Sequence, residues 1–161
     1  MSQDSRACRD ALGHFATGVA VVTAAGEGGA LGLTINSFAS VSLEPPLILW
    51  SLDKASDRFA GLMAASHFAV NMLGGEAREL AQLLARKGQA GLGDEGLRTG
   101  ARGVPLLTRA IAHFECSVEH RYEGGDHVIF VGRVLGFDHT SHSDPLIYYR
   151  GRYRALSELE G

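Results

Sequence analysis

The segment LTINSFASVSLEPPLILW (33–50) sets Thr34, Asn36, Ser37, Ser40 and Ser42 in and after an otherwise apolar strand. Hydroxyls and amides buried there cost free energy unless they are hydrogen-bonded. Two arrangements meet that demand. A polar ligand rich in acceptors would satisfy them, or they cap turns and bond the backbone. A second residue of interest is His127, which opens an apolar strand directly after Gly-Gly-Asp. A histidine so placed is either part of the turn or stands at the mouth of a site.

Other chemistries lack their residues. Gly26, Gly28 and Gly32 follow a strand, but a dinucleotide fingerprint needs a helix next to hold the pyrophosphate, and here another strand follows. No P-loop GK[ST] is present. His139 and His142 are spaced three apart with no third ligand nearby, which reads as a solvated loop, and no metal is expected. Cys8 and Cys116 are far apart and make no CxxC, so no disulfide scaffold is expected. Cys116 alternates with apolar residues and reads as core. The net charge is −3 and no basic stripe appears, which argues against nucleic-acid binding. MSQDSRACRD lacks an apolar signal region and the apolar runs are far short of a membrane span, so the chain reads as cytoplasmic.

The elements that must position these residues come from periodicity. The 161 residues suit one domain over 1–161, with an apolar share of 45% and a charged share of 20%. Ala7, Cys8, Ala11, Leu12 and Phe15 recur at helical spacing opposite Arg6, Arg9 and Asp10, with Gly18 as the stop. Strands are predicted at 18–25, 30–40 and 47–52, with GEGG (26–29) as a turn and LEPP (43–46) as a break. Ser56 reads as the N-cap of a short helix carrying Phe59, Leu62 and Met63. HFAVNML (67–73) is a strand and 76–88 a helix, with Leu80, Leu83 and Leu84 inward and Gly88 as the C-cap. Residues 89–105 have no clean period and read as a loop. Strands 110–122 and 127–137 flank the turn EGGD (123–126), and two short strands surround Arg150-Gly151. Strands 47–52 and 127–137 are apolar on both faces and so need a layer on each side. The sum is a mainly β, helix-decorated antiparallel barrel.

Five ordered blocks carry a family resemblance. Thr-x-Asn-Ser-Phe-x-Ser followed by Val-Ser-Leu-x-Pro-Pro is the first; SDRF (56–59) follows it. FAVNML (68–73) with ELAQLLARKG (79–88), GGDHVIFVGRV (124–134) and PLIYYRGRY (145–153) complete the set. Together they resemble the flavin reductase-like family, the small reductase components of two-component flavin monooxygenases. The resemblance implies a Greek-key split β-barrel that binds FMN or FAD at a homodimer interface. It implies that Thr34, Asn36, Ser37 and Ser40 line the isoalloxazine and ribityl chain, with Ser51 and Leu52 offering backbone beside the ring. Ser56 would start a helix whose N-terminus suits a phosphate. Arg86 and Lys87 would add phosphate charge, although solvated helix-end cations read the same way. His127 would stand near the nicotinamide, and Tyr149, Arg150 and Tyr153 would complete that pocket. Members commonly carry an aromatic residue, often in a Lys-Phe pair, shortly after the helix; QAGLGDEGLRTGARG (89–103) has none.

The implied reaction is hydride transfer from NADH or NADPH to the flavin, with reduced flavin passed to a partner monooxygenase. That chemistry belongs to the cofactors, and the protein supplies stacking geometry. The absence of a catalytic triad is then expected. The rival readings are a split-barrel oxidase that keeps its flavin and a non-catalytic flavin carrier. Neither a nucleic-acid nor a membrane partner is expected.

Overall fold

The structure is a computed structural model describing residues 3–88, 92–93, 96–140 and 143–157. Its frame is a seven-stranded antiparallel sheet. The strands are β2 (Ala20–Gly26), β3 (Gly29–Ile35), β4 (Ala39–Leu43), β5 (Pro46–Asp53), β6 (His67–Leu73), β9 (Ala110–Gly124) and β10 (His127–His139), ordered β3-β2-β6-β9-β10-β5-β4. A three-stranded sheet joins β1 (Thr17–Gly18), β11 (Ile147–Tyr149) and β12 (Arg152–Arg154). The helices are α1 (Gln3–Leu12), α2 (Phe59–Ala64) and α3 (Arg78–Leu84). The fold is therefore mainly β, as predicted.

One face of the large sheet gathers a core from almost every strand. Val22, Ile48, Trp50, Leu52, Phe68, Val70, Cys116, Val128 and Phe130 share one cluster with Leu62 of α2. Trp50 stacks on Phe130 with centroids 4.5 Å apart. Gly132 makes this packing possible, because a Cβ there would meet the Phe68 ring at 2.5 Å. Burial pushes the Cys116 thiol up to about 12, as expected of an inert core cysteine. Behind β2 and β3, α3 packs Ala81 and Leu84 against Val19, Val21 and Leu73 in a second cluster.

Several elements differ from expectation. The first helix ends at Leu12 rather than Gly18, and residues 4–12 are all exposed. Its apolar side has no partner among this chain's described residues: Leu12 is 70% and Phe15 80% exposed. The predicted strand 30–40 breaks at 36–38, because the chain turns a corner there between β3 and β4. Helix 76–88 is a 3-10 turn (Gly75–Ala77) followed by the shorter α3, and Leu83 points outward. The predicted loop 89–105 contains a hairpin of β7 (Leu97–Thr99) and β8 (Pro105–Leu107). That hairpin covers the side of β9 expected to face away from the core, so His113 is buried.

The turn predictions at the site's margins hold. Arg150 (φ 49°) and Gly151 (φ 74°) form the two-residue turn between β11 and β12, a conformation that favours glycine. Glu119 and Leu135 sit at register shifts between β9 and β10. Arg133 holds the first of these in place with a paired hydrogen bond from Nε and Nη2 to the Glu119 carboxylate at 2.8 and 2.6 Å. Among the described residues no helix is long and apolar enough to cross a membrane.

Candidate functional site

The corner at 36–38 is where the polar residues of the first block leave the sheet. Thr34, still in β3, donates its Oγ1 hydrogen to Ala81 O at 2.8 Å and so ties the strand to α3. Ser37 Oγ accepts the Ser51 amide at 3.0 Å and lies 3.4 Å from Ser51 O. These two hydroxyls serve the backbone, which is the second of the two arrangements their composition allowed. Asn36 stands exposed between them.

Four further segments meet this corner around a cavity of about 270 Å³. β5 brings Ser51 and Asp53; the turn before α2 brings Ser56, Asp57 and Arg58; the end of α3 brings Ala85 and Lys87; β10 brings His127. The register explains the last arrival, since His127 pairs with Asp53 across β10 and β5. The turn ahead of His127 is pinned from the β5 side. Lys54 N donates to Asp126 O at 3.0 Å and Lys54 Nζ to Gly125 O at 2.8 Å. His127 Nδ1 lies 2.7 Å from Asp126 Oδ1, and this bond and the imidazole charge hold the Asp126 carboxyl below the usual range.

Ser56 corrects one expectation. It is not the N-cap of α2: Arg58 occupies that position without a side-chain cap bond. Ser56 Oγ instead accepts Arg58 N at 3.2 Å. The turn therefore serves to aim the next residues, and its two charged members were not singled out from the sequence. Arg58 is 3% exposed, and its Nη1 donates to Asp57 Oδ1 at 2.7 Å. The other Asp57 oxygen accepts the Gly88 amide. That backbone bond, then the Arg58 charge, holds the Asp57 carboxyl below the usual range. A trace of this was present in SDRF, where an arginine directly precedes the apolar helix face and must be buried with a partner.

The structure thus brings Thr34, Asn36, Ser37, Ser51, Ser56, Lys87 and His127 together on one cavity. Leu52 has its side chain fully buried in the core and can offer only backbone. Ser40 lies exposed on β4 opposite Ile48, and Arg86 is exposed beyond α3; neither lines the cavity. Tyr153 lines a neighbouring recess with Thr34, Asn36 and Tyr148. Arg150 lines a larger trough of about 570 Å³ with Asn36, His14 and Arg9. Tyr149 sits edge-on to His14 at 6.3 Å. Asn36 borders all three hollows, so they adjoin around it. His139 is exposed, and His142, the other half of the weak histidine pair, lies outside the described residues.

Chemically, the cavity offers hydroxyls, a carboxamide, an imidazole, two cations and two carboxylates, with Leu33 and Ile35 as apolar wall; Asp57 is bonded to Arg58 and Gly88, and Asp53 accepts the Ala55 amide. That donor set suits a flat, polar, anionic ligand held by many hydrogen bonds. Residues 12–157 match the flavin reductase like domain family. The FMN reductase (NADH) SmoA of Agrobacterium fabrum is 42% identical over 155 residues, covering 96% of this chain and 88% of the relative. The reductase subunit HsaB of a flavin-dependent monooxygenase from Rhodococcus jostii is 34% identical, over 95% of this chain and 78% of the relative. Other relatives are longer: the chain spans 48% of a probable flavin reductase of Rhizobium meliloti. The Streptomyces globisporus NADH:FAD oxidoreductase SgcE6, solved with NAD and FAD fragments, superposes with a TM-score of 0.90 at 35% identity, covering 96% of this chain and 94% of that one. With the match running through the corner, the Ser56–Arg58 turn, the end of α3 and the start of β10, the chain belongs to the flavin reductase like domain family.

Proposed function

We propose that this chain is an NAD(P)H-dependent flavin reductase that passes a hydride from NADH or NADPH to FMN or FAD and supplies reduced flavin to a partner monooxygenase. The observation that carries this reading is the convergence of Asn36, Ser51, Lys87 and His127, from four separate segments, on one cavity. When bound, the flavin supplies the hydride acceptor. Asn36 and the main chain of Ser51 and Leu52 would edge its ring, the corner held by Ser37 would shape the seat, and Ser56, Arg58 and Lys87 would take the phosphate. His127 would set the approach of the nicotinamide, and the adjoining hollows with Tyr153 and Arg150 would hold the rest of that nucleotide. Thr34 acts by holding β3 to α3. The relatives named above support the cofactors and the partner class.

The same reading makes the chain a split-barrel domain working as a homodimer. Phe38, Phe114 and Phe137 form a row with centroids 5.9 and 6.4 Å apart, and Phe137 is 72% exposed. Phe15 and Phe38 line one recess with Asn36. An exposed apolar face of this kind, continuous with the site, suits a second copy that would bury it and roof the cavity. A stable monomer by light scattering at micromolar concentration would overturn the dimer. The free thiols Cys8 and Cys116 fit a reducing compartment such as the cytoplasm.

Oxidation of NADH and NADPH followed with added FMN, then FAD, tests the activity. Turnover with free flavin is expected. A carrier would bind flavin and oxidise neither nucleotide. An oxidase that keeps its flavin would purify yellow and show no dependence on added flavin.

A further inference from the structure

A carboxylate on the wall of an anion site calls for an explanation. Asp57 lines the cavity beside Arg58 and Lys87, where a bare negative charge would repel a phosphate. Both of its oxygens are already engaged. Oδ1 takes Arg58 Nη1 at 2.7 Å, and Oδ2 takes the Gly88 amide, 31 residues further along the chain. Its charge is therefore matched within the protein, and the Lys87 ammonium is left for a ligand.

The bond to Gly88 also fixes main chain that α3 no longer controls. The helical ladder ends with Ala85 N–H on Ala81 O at 3.1 Å and Arg86 N–H on Leu83 O at 3.2 Å. The next described main-chain anchor downstream is Leu92 N–H on Ala30 O at 2.9 Å. Gly88 has φ +83°, a conformation side chains resist, and its N–H is bonded to the turn before α2. Lys87 is the residue immediately before that anchored amide, and it is exposed. A lysine on an untethered turn would lose much of its interaction to side-chain and backbone entropy.

We propose that Asp57 is a positioning residue. By latching the Gly88 amide to the buried Arg58, it sets Lys87 for the flavin phosphate and gives the site its preference for phosphorylated flavin over riboflavin. This rests on the phosphate end of the cavity lying at Ser56, Arg58 and Lys87, as read above.

The test compares NADH-driven reduction of FMN and of riboflavin by wild type, Asp57→Ala, Lys87→Ala and the double variant. Asp57→Ala should raise KM for FMN about 10-fold, equivalent to one lost charge contact, and KM for riboflavin by less than about 2-fold. The loss should fall on KM rather than kcat. The double variant should have the same FMN-to-riboflavin ratio as Lys87→Ala alone, since one residue acts through the other. If Asp57→Ala fails to fold, Asp57→Asn, without the charge, and Asp57→Glu, with the wrong reach, should each shift the ratio the same way. Equal losses on both flavins, effects of Asp57→Ala and Lys87→Ala that multiply, or a wild-type ratio in the folded variants would overturn the latch. Wild-type protein with no preference for FMN over riboflavin would instead remove the phosphate reading, and the latch with it.

Discussion

Two polar clusters stand in this fold, one around Asn71 of β6 and one at the 36–38 corner, and only the second borders a cavity. In the closed cluster Asn71 Nδ2 donates to Val21 O and Thr23 Oγ1, each at 2.9 Å, and Asn71 Oδ1 accepts Leu107 N at 2.9 Å. Thr23 Oγ1 donates to Pro105 O, and His113 Nε2 donates to Leu107 O at 2.6 Å. Thr23 and Asn71 are fully buried and His113 nearly so. Every bond runs to the β7–β8 hairpin or to the sheet itself. In the open cluster, Asn36, Ser56, Lys87 and His127 border a cavity. Polar residues in apolar strands thus have two uses in one molecule. What separates them is burial: the closed cluster is sealed with its partners in the interior, whereas the open one keeps side chains facing a cavity.

The difference predicts opposite signatures on mutation. The largest effect belongs to the closed cluster. Asn71→Ala strands Leu107 N–H and takes a donor from Val21 O and from the Thr23 hydroxyl in a dry interior, a loss of about 3 kcal/mol. Calorimetry should show a fall in Tm of about 6–12 °C for a chain of this size. Next comes His127→Ala. It should slow reduction of bound flavin by about 10- to 100-fold with little change in flavin affinity, because in the proposed mechanism the residue would orient the donor and would not be a proton donor in the hydride step. Stopped-flow traces at saturating NADH and NADPH separate the two quantities. A wild-type rate would leave His127 as a turn residue only.

Smaller effects sharpen the boundary. Asn36→Ala should weaken FMN binding about 10-fold and leave the apo Tm within about 1 °C, the reverse of Asn71→Ala. Ser37→Val falls between the clusters, since its hydroxyl receives the Ser51 amide. It should cost about 1 kcal/mol, seen as about 2–4 °C in Tm, while Ser40→Val on exposed β4 should leave Tm unchanged. The smallest effect is electrostatic. The Asp126 carboxyl is held below its ordinary range by His127. A depressed carboxylate stabilises the fold above its unfolded pKa, and that contribution is lost as pH falls through the folded one. Asp126→Asn should therefore slightly flatten the decline of Tm from about pH 5 to about pH 3. The effect is small because the group is solvent-screened.

Most of the sheet was legible because alternation and turn chemistry are local. β6 at 67–73 and the Arg150-Gly151 turn stand where the pattern put them, and the hairpin expected at 123–126 turns more tightly, at 125–126, because Glu123 and Gly124 still pair with β10. The errors share a cause. The corner at 36–38, the early end of α1 and the β7–β8 hairpin are set by what packs against the segment, which periodicity does not encode. The same holds for the site. Asn36, Ser51, Lys87 and His127 were readable as polar residues in a family pattern, whereas Asp57 and Arg58 were given no role within the SDRF block.

By itself the sequence determined the mainly β character, the membership in a flavin reductase family and the set of polar residues from which a site could be built. Those properties follow from residue type and spacing along the chain. Only the tertiary structure decided which hydroxyls are spent on the backbone, that Ser40 and Arg86 stand apart from the cavity, and that Asp57 reaches Gly88. Each of those outcomes depends on a partner far away in sequence. A hydrogen bond is assigned by the distance between two groups in space, and residue type specifies only one of them.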